Sequence, residues 1–187
     1  FGKKLIKVKK SLGQNFLVDN SILEKIINVV DINAKNILEV GPGTGNLTSY
    51  ILMKKPKKVI VIEKDRNLVN NLEKKFNDRV TIINNDILNV DETTLLDEKL
   101  TVFGNLPYNI STEILSKWIV NLNDRFWFDY LILMFQKEVA DRIRAKFNTS
   151  NYGRLSILAN WKLKIDKICD IKPISFFPKP KIDSTLL

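Results

Sequence analysis

From Asn36 to Met134 this chain alternates short apolar runs with stretches of helical spacing, and that alternation leaves few folds open. Asn36–Val40, Val59–Ile62, Val80–Ile83, Leu100–Gly104 and Tyr130–Met134 are apolar along most of their length, the pattern of strands buried on both faces. Between them, Asn46–Lys54, Asp65–Phe76 and Ile110–Val120 space apolar residues three and four apart, as Leu68, Leu72 and Phe76 do, which predicts helices. Strands alternating with helices predict an α/β fold: a mostly parallel, Rossmann-like central sheet with helices on both faces. Ligands in such sheets bind outside the carboxyl ends of the strands. Gly41–Gly45, Glu63, Asp86 and Asn105–Tyr108 all follow or end strands, so they are expected on one rim.

The flanks are less regular. Residues 1–18 read as a basic, irregular segment ahead of a single domain, 19–187. Ser21-Ile-Leu-Glu24 has the form of a capping box, with Ile22, Ile26, Ile27 and Val30 at helical spacing behind it. Gln136–Lys146 and Tyr152 to about Asn160 are expected helices. From Trp161 the tail reads as two strands separated by the proline-rich Pro173–Pro180.

The rim residues carry the chemistry. In Glu39-Val-Gly-Pro-Gly-Thr-Gly45 the glycines allow a sharp turn and close approach to a ligand. The spacing is G-x-G-x-G rather than the G-x-G-x-x-G of dinucleotide folds, and Pro42 removes an amide donor that a pyrophosphate would use. Glu63 can accept both hydroxyls of a ribose, or simply open a helix. Asp86 can accept from an adenine amine with Ile87 as its apolar neighbour, or cap a turn. Asn105-Leu106-Pro107-Tyr108 is the most specific local signal. An adenine amine is a poor nucleophile because its lone pair is delocalised into the ring. An asparagine carbonyl and a nearby backbone carbonyl can take its two hydrogens and localise that pair for attack on a methyl sulfonium. Pro107 holds the turn, and Tyr108 offers a ring for stacking. Together these residues suggest methylation of an adenine amine from S-adenosylmethionine.

Composition narrows the alternatives. There is no histidine and a single cysteine, Cys169, which excludes an intrachain disulfide and imidazole catalysis and argues against a metal site. No apolar run approaches the ~20 residues of a membrane span. The formal net charge is +9, with lysines crowding Lys3–Lys10, Lys54–Lys58 and Lys162–Lys181, which favours a polyanionic partner. Arg142, Arg144 and Lys146 read either as a solvated helix face or as nucleic-acid contacts. Phe176-Phe177-Pro178-Lys179-Pro180 reads either as a clamp for an extruded base or as a hairpin loop with buried aromatics.

As an ordered set these motifs resemble the KsgA-type ribosomal RNA adenine dimethyltransferases nearly end to end. Leu12-Gly-Gln-Asn-Phe-Leu17, Glu39–Gly45, Asn105-Leu-Pro-Tyr-Asn-Ile-Ser111, Gln136-Lys-Glu-Val139, Tyr152-Gly-Arg-Leu-Ser156 and Phe176–Ser184 each look like a motif of that family. The resemblance implies that Gln14, Asn15 and Leu17 contact S-adenosylmethionine. It implies that Gly41 and Gly43 face the methionine part, Glu63 and Lys64 the ribose, and Asp86 and Ile87 the adenine. Asn105 would contact the cofactor as well and hold the target amine on the Leu106-Pro107 turn, with Tyr108 and Phe176 bracketing the base. The implied substrate is a pair of adjacent adenosines near the 3′ end of small-subunit ribosomal RNA, within the immature subunit. The implied product is S-adenosylhomocysteine, and the enzyme would be a monomer serving ribosome biogenesis in a bacterial-type cytoplasm or an organelle. The family carries a small helical RNA-engaging domain beyond the point where this sequence stops. Cofactor binding is expected to survive without that domain, while RNA affinity and site choice weaken. Related branches methylate large-subunit RNA in antibiotic resistance or act as transcription factors. Two other readings stand beside these: a nucleotide-dependent oxidoreductase and a non-catalytic RNA-binding assembly factor.

Overall fold

The computed structural model describes residues 14–122 and 126–187. The N-terminal lysines from Lys3 to Lys10, and Leu12 and Gly13, lie outside the described residues. In chain order the elements are β1 (Phe16–Leu17), α1 (Asn20–Ile27), β2 (Asn36–Val40), α2 (Asn46–Met53), β3 (Lys58–Glu63), α3 (Arg66–Phe76), β4 (Thr81–Asn84), β5 (Leu100–Asn105), α4 (Ser111–Val120), β6 (Phe128–Gln136), α5 (Lys137–Ile143), α6 (Arg154–Lys162), β7 (Cys169–Ile171), β8 (Phe176–Phe177) and β9 (Ser184–Leu186).

The central sheet has the strand order β4-β3-β2-β5-β6-β9-β7. The first five strands are parallel, and β9 is antiparallel to both β6 and β7. Side chains alternate across it. Leu38, Ile60, Ile62 and Val102 pack with Ile114, Leu115 and Trp118 of α4, Ala140 and Ile143 of α5 and Ala159 of α6. Their neighbours Ile37, Val59, Val61 and Phe103 pack on the other face, with Leu23 and Ile26 of α1, Ile51 of α2 and Leu72 and Phe76 of α3. Two covered faces explain why these strands read as continuous apolar runs. No helix among the described residues is long and apolar enough to cross a membrane.

The chain order reverses between β2 and β5, where parallel sheets open a crevice. Val40 lies opposite Gly104, so the segments beginning at Gly41 and Asn105 leave the sheet side by side.

Local details depart from expectation. Asp19, not Ser21, caps α1: its carboxylate accepts from the backbone amides of Ser21 at 3.0 Å and Ile22 at 3.4 Å, and the Ser21 hydroxyl also donates to it. A carboxylate two positions earlier displaces the expected Ser21–Glu24 box as the acceptor for those amides. Helix α5 ends at Ile143 rather than Lys146: the Arg144 amide still reaches the Ala140 carbonyl, but the Ala145 amide bonds only three residues back, to Arg142, and the chain then turns with Thr149 on the Lys146 carbonyl. The proline-rich tail holds a third short strand, β8, paired antiparallel with β1, which gives the end of the expected irregular N-terminal segment a fixed place in the fold.

Candidate active site

Four loops meet over the crevice around a cavity of about 300 Å³. The first follows β2. Gly41 and Gly43 adopt φ of 68° and 57°, which favour glycine, and each is also crowded. A Cβ on Gly41 would stand 3.4 Å from the Asn105 carbonyl, and one on Gly43 would fall 2.6 Å from the Phe16 ring. Glycine here lets three segments, 15–17, 41–45 and 105–108, close around one space.

Glu63 ends β3 and ties the loops together. Its Oε2 accepts from the Gly43 amide at 3.3 Å and its Oε1 from the Asp65 amide at 2.9 Å. The residue is 8% exposed, and burial raises its carboxyl above the ordinary value despite those two amides. Gln14 donates to Asp65 at 3.1 Å, which ties the segment ahead of β1 to the same corner.

Asp86 follows β4 and does both things the sequence left open. Its Oδ1 caps the short turn Ile87–Asn89 by accepting from the Leu88 amide at 3.0 Å, and the side chain also lines the cavity. Its Oδ2 meets Lys64 Nζ at 2.7 Å, and that contact holds its carboxyl below the usual range.

Asn105 ends β5. Its Nδ2 donates to the Asn15 carbonyl at 2.7 Å, a bond between residues ninety positions apart in sequence. That bond fixes the sense of the amide and leaves Oδ1 as the acceptor of a residue that lines the cavity. Leu106 is buried with its side chain against Gly104, and the Pro107 carbonyl closes the turn by accepting from Ile110 at 3.1 Å. The Tyr108 hydroxyl shares a 2.5 Å hydrogen bond with Ser184 Oγ; burial raises its phenol above the ordinary value, with the Ser184 bond pulling the other way.

Gln14, Asn15, Gly41, Gly43, Glu63, Lys64, Asp86, Asn105, Leu106, Pro107 and Tyr108 thus gather around one cavity. Three expected site residues do not. Leu17 is buried beside the glycine loop, lining only a small neighbouring hollow, while its carbonyl accepts from Asn46. Ile87 turns into the core, and Leu88 lines the cavity in its place. Phe176 is 3% exposed and packs among core residues that include Leu17, so it does not bracket the cavity with Tyr108; its neighbour Phe177 is 61% exposed. Phe16 and Leu68 are lining residues that the sequence reading passed over. The helical face Leu68-Leu72-Phe76 was visible, but not that its first member reaches the rim.

The donor set suits a nucleoside-bearing amino acid. Tight glycine backbone approaches one end, a buried acid at a strand end can take ribose hydroxyls, and Asp86 with Leu68 and Leu88 offers a polar edge and apolar faces for a purine. An amide with a fixed acceptor stands across from them. Comparisons with known proteins agree with this chemistry. The family described as ribosomal RNA adenine dimethylase matches residues 5–187. The ribosomal RNA small subunit methyltransferase A of Pelagibacter ubique is 66% identical over 182 residues, covering 97% of this chain and 70% of that protein. Among solved structures, a dimethyladenosine transferase from Plasmodium falciparum has a TM-score of 0.79 at 34% identity, covering 91% of this chain and 61% of that one. The 23S rRNA methyltransferase ErmE has a TM-score of 0.75 at 25% identity, covering 92% of this chain and 68% of that one. The chain therefore spans less than two thirds of the Plasmodium chain and somewhat more of the other two. The fold is the Rossmann-like one of S-adenosylmethionine-dependent methyltransferases, and the match over residues 5–187 to an rRNA methyltransferase family removes the oxidoreductase reading. With its rim built around Asn105-Leu106-Pro107-Tyr108, the chain belongs to the ribosomal RNA adenine dimethylase family.

Proposed function

We propose that this protein transfers methyl groups from S-adenosylmethionine to the exocyclic amines of two adjacent adenosines near the 3′ end of small-subunit ribosomal RNA. Each amine would receive two methyl groups. The reaction would act on the immature subunit, with the enzyme a cytoplasmic monomer contributing to ribosome biogenesis. The observation that carries the reading is the Asn105 amide, its Nδ2 bound to the Asn15 carbonyl and its Oδ1 left to accept.

Bound S-adenosylmethionine supplies a methyl group on a cationic sulfur, an electrophile that needs no further activation. Glu63 and Asp86 would be the acceptors for its ribose and adenine, and Gly41 and Gly43 would admit its amino-acid end. Asn105 Oδ1 and the Leu106 carbonyl take the two hydrogens of the target amine and draw its nitrogen toward tetrahedral geometry. Pro107 presents no amide donor to compete, and the Tyr108 ring stacks on the base while Ser184 holds its hydroxyl. The methylated nitrogen is cationic and strongly acidic, so water can take its proton and no histidine is needed.

The test is tritium transfer from labelled S-adenosylmethionine to immature small ribosomal subunits, with large subunits as a second substrate. The expected result is dimethyladenosine in small-subunit RNA. Asn105→Ala should lower the rate at least a hundredfold, roughly the loss seen when a preorganised polar contact to the reacting group is removed. Its affinity for S-adenosylhomocysteine should fall by a smaller factor, because the variant also loses the bond that holds the Asn15 carbonyl. Label in large-subunit RNA alone would move the protein to the antibiotic-resistance branch. RNA binding without any label would make it an assembly factor.

A further inference from the structure

From Arg142 to Lys164 the chain carries six cations, Arg142, Arg144, Lys146, Arg154, Lys162 and Lys164, and no carboxylate. Among the described residues none of the six forms an ion pair, whereas Lys35, Lys57, Lys64, Lys117, Lys137, Lys167 and Lys172 each face a carboxylate. The same segment exposes three aromatic rings. Phe147 is 74% and Trp161 67% exposed, with Tyr152 also on the surface. Phe147 and Tyr152 meet edge to face with centroids 5.6 Å apart, and Lys162 Nζ lies 4.4 Å from the centre of the Trp161 ring. The three rings, with Arg144 and Lys146, line one open cavity of about 580 Å³.

Their support is ordered. Asn160 Nδ2 donates to the Ile143 carbonyl at 3.1 Å and the Ser156 carbonyl at 2.8 Å, tying α6 to the end of α5. The loop between those helices is closed by the Tyr152 amide on the Thr149 carbonyl at 3.0 Å. Helix α5 starts where β6 ends, and Met134 near that end pairs with Asn105, so one short helix leads from the catalytic rim to the rings at its far end.

Grouped apolar rings on a surface call for an occupant. A second copy of the chain would bring the same six uncompensated charges to the interface, which opposes self-association. Rings set among unpaired cations instead suit a strand that presents both base faces and phosphates. We infer that Phe147, Tyr152 and Trp161 form a stacking site for unpaired bases of RNA, outside the cleft that takes the target base. The inference rests on the RNA-methyltransferase reading and deepens it: nucleotides flanking the target would lie over α5 and α6.

The test is fluorescence anisotropy of the protein with a labelled single-stranded oligoribonucleotide, beside an RNA duplex whose bases are already stacked. Trp161→Ala should weaken single-strand binding about tenfold. Trp161→Phe should retain most of the affinity, and neither variant should alter duplex binding or affinity for S-adenosylhomocysteine. Unchanged single-strand affinity in Trp161→Ala would overturn the inference, as would an equal loss for duplex. A dimer of the wild type that Trp161→Ala dissolves would overturn it in favour of a second copy. Methyl transfer separates the two levels. If the wild type methylates ribosomal RNA while Trp161→Ala binds single strands normally, only the stacking site fails. If the wild type neither methylates nor binds RNA, both readings fall.

Discussion

Glu39, the acid ahead of the glycine loop, is buried at 2% exposure and receives the Thr48 hydroxyl at 2.6 Å. Burial pushes its carboxyl up to about 7, with the Thr48 bond and the charge of Lys75 pulling the other way. The folded protein therefore holds a proton here that the unfolded chain releases near 4.5, and stability is lost as pH rises through that window. Glu39→Gln keeps an acceptor for Thr48 without the charge. The variant is expected to be more stable than wild type at pH 8, on the order of 1–3 kcal/mol, with the gap closing toward pH 4.5. Urea unfolding at pH 5 and pH 8 measures it, and equal pH slopes in the two proteins would refute the assignment. Residue by residue, Gly41, Glu63, Asp86 and Asn105 were legible because they stand together at the ends of buried strands, whereas Gln14, Asn15 and Lys64 came only through the family resemblance. The apolar members were not legible. Phe176 and Ile87 could as well be walls of a site as core, and a strand of two residues such as β8 is too short for its alternation to reveal which face each side chain takes.

At the scale of elements, α4 joins the two halves of the site. It begins directly after the Asn105–Ile110 turn, and Lys117 near its far end reaches the segment after Asp86. Lys117 Nζ donates to the Ile87 carbonyl at 2.8 Å, to the Val90 carbonyl, and to Glu92 at 2.9 Å, while Trp118 Nε1 donates to Glu92 at 2.7 Å. One ammonium thus anchors the turn that presents Asp86 and Leu88 to the cavity. Lys117→Met should strand the buried Glu92 carboxylate and cost about 3 kcal/mol of stability, with part of it recovered in Lys117→Met/Glu92→Gln. The single variant should also bind S-adenosylhomocysteine several-fold more weakly, read by calorimetry. Loss of stability with unaltered affinity would mean that α4 supports the fold without positioning the site. The strands and the order of helices were legible from periodicity because both faces of the sheet are covered. Lys117 was invisible, since a lysine on a helix gives no sign in sequence that its ammonium is drawn onto two backbone carbonyls and a buried acid.

At the scale of the molecule, the described residues 142–164 hold a local excess of positive charge that composition alone could not place. The paired lysines are scattered over the described structure, while the cations of 142–164 form a run without an ion pair that starts in α5, the helix leaving the catalytic rim, and reaches Lys162 and Lys164 near the opening residues of β6. A single strand lying there would release condensed counterions, with log K falling against log salt by about 0.7 for each phosphate neutralised. Replacing Arg144, Lys146 and Lys164 together by Gln should therefore reduce that slope by about 2. These three are exposed and outside the cofactor cavity, so the melting temperature and S-adenosylhomocysteine affinity should stay near wild type. Anisotropy titrations between about 50 and 200 mM salt measure the slope, the range over which such contacts are most strongly screened. A slope unchanged in the triple variant would send the RNA path to another face.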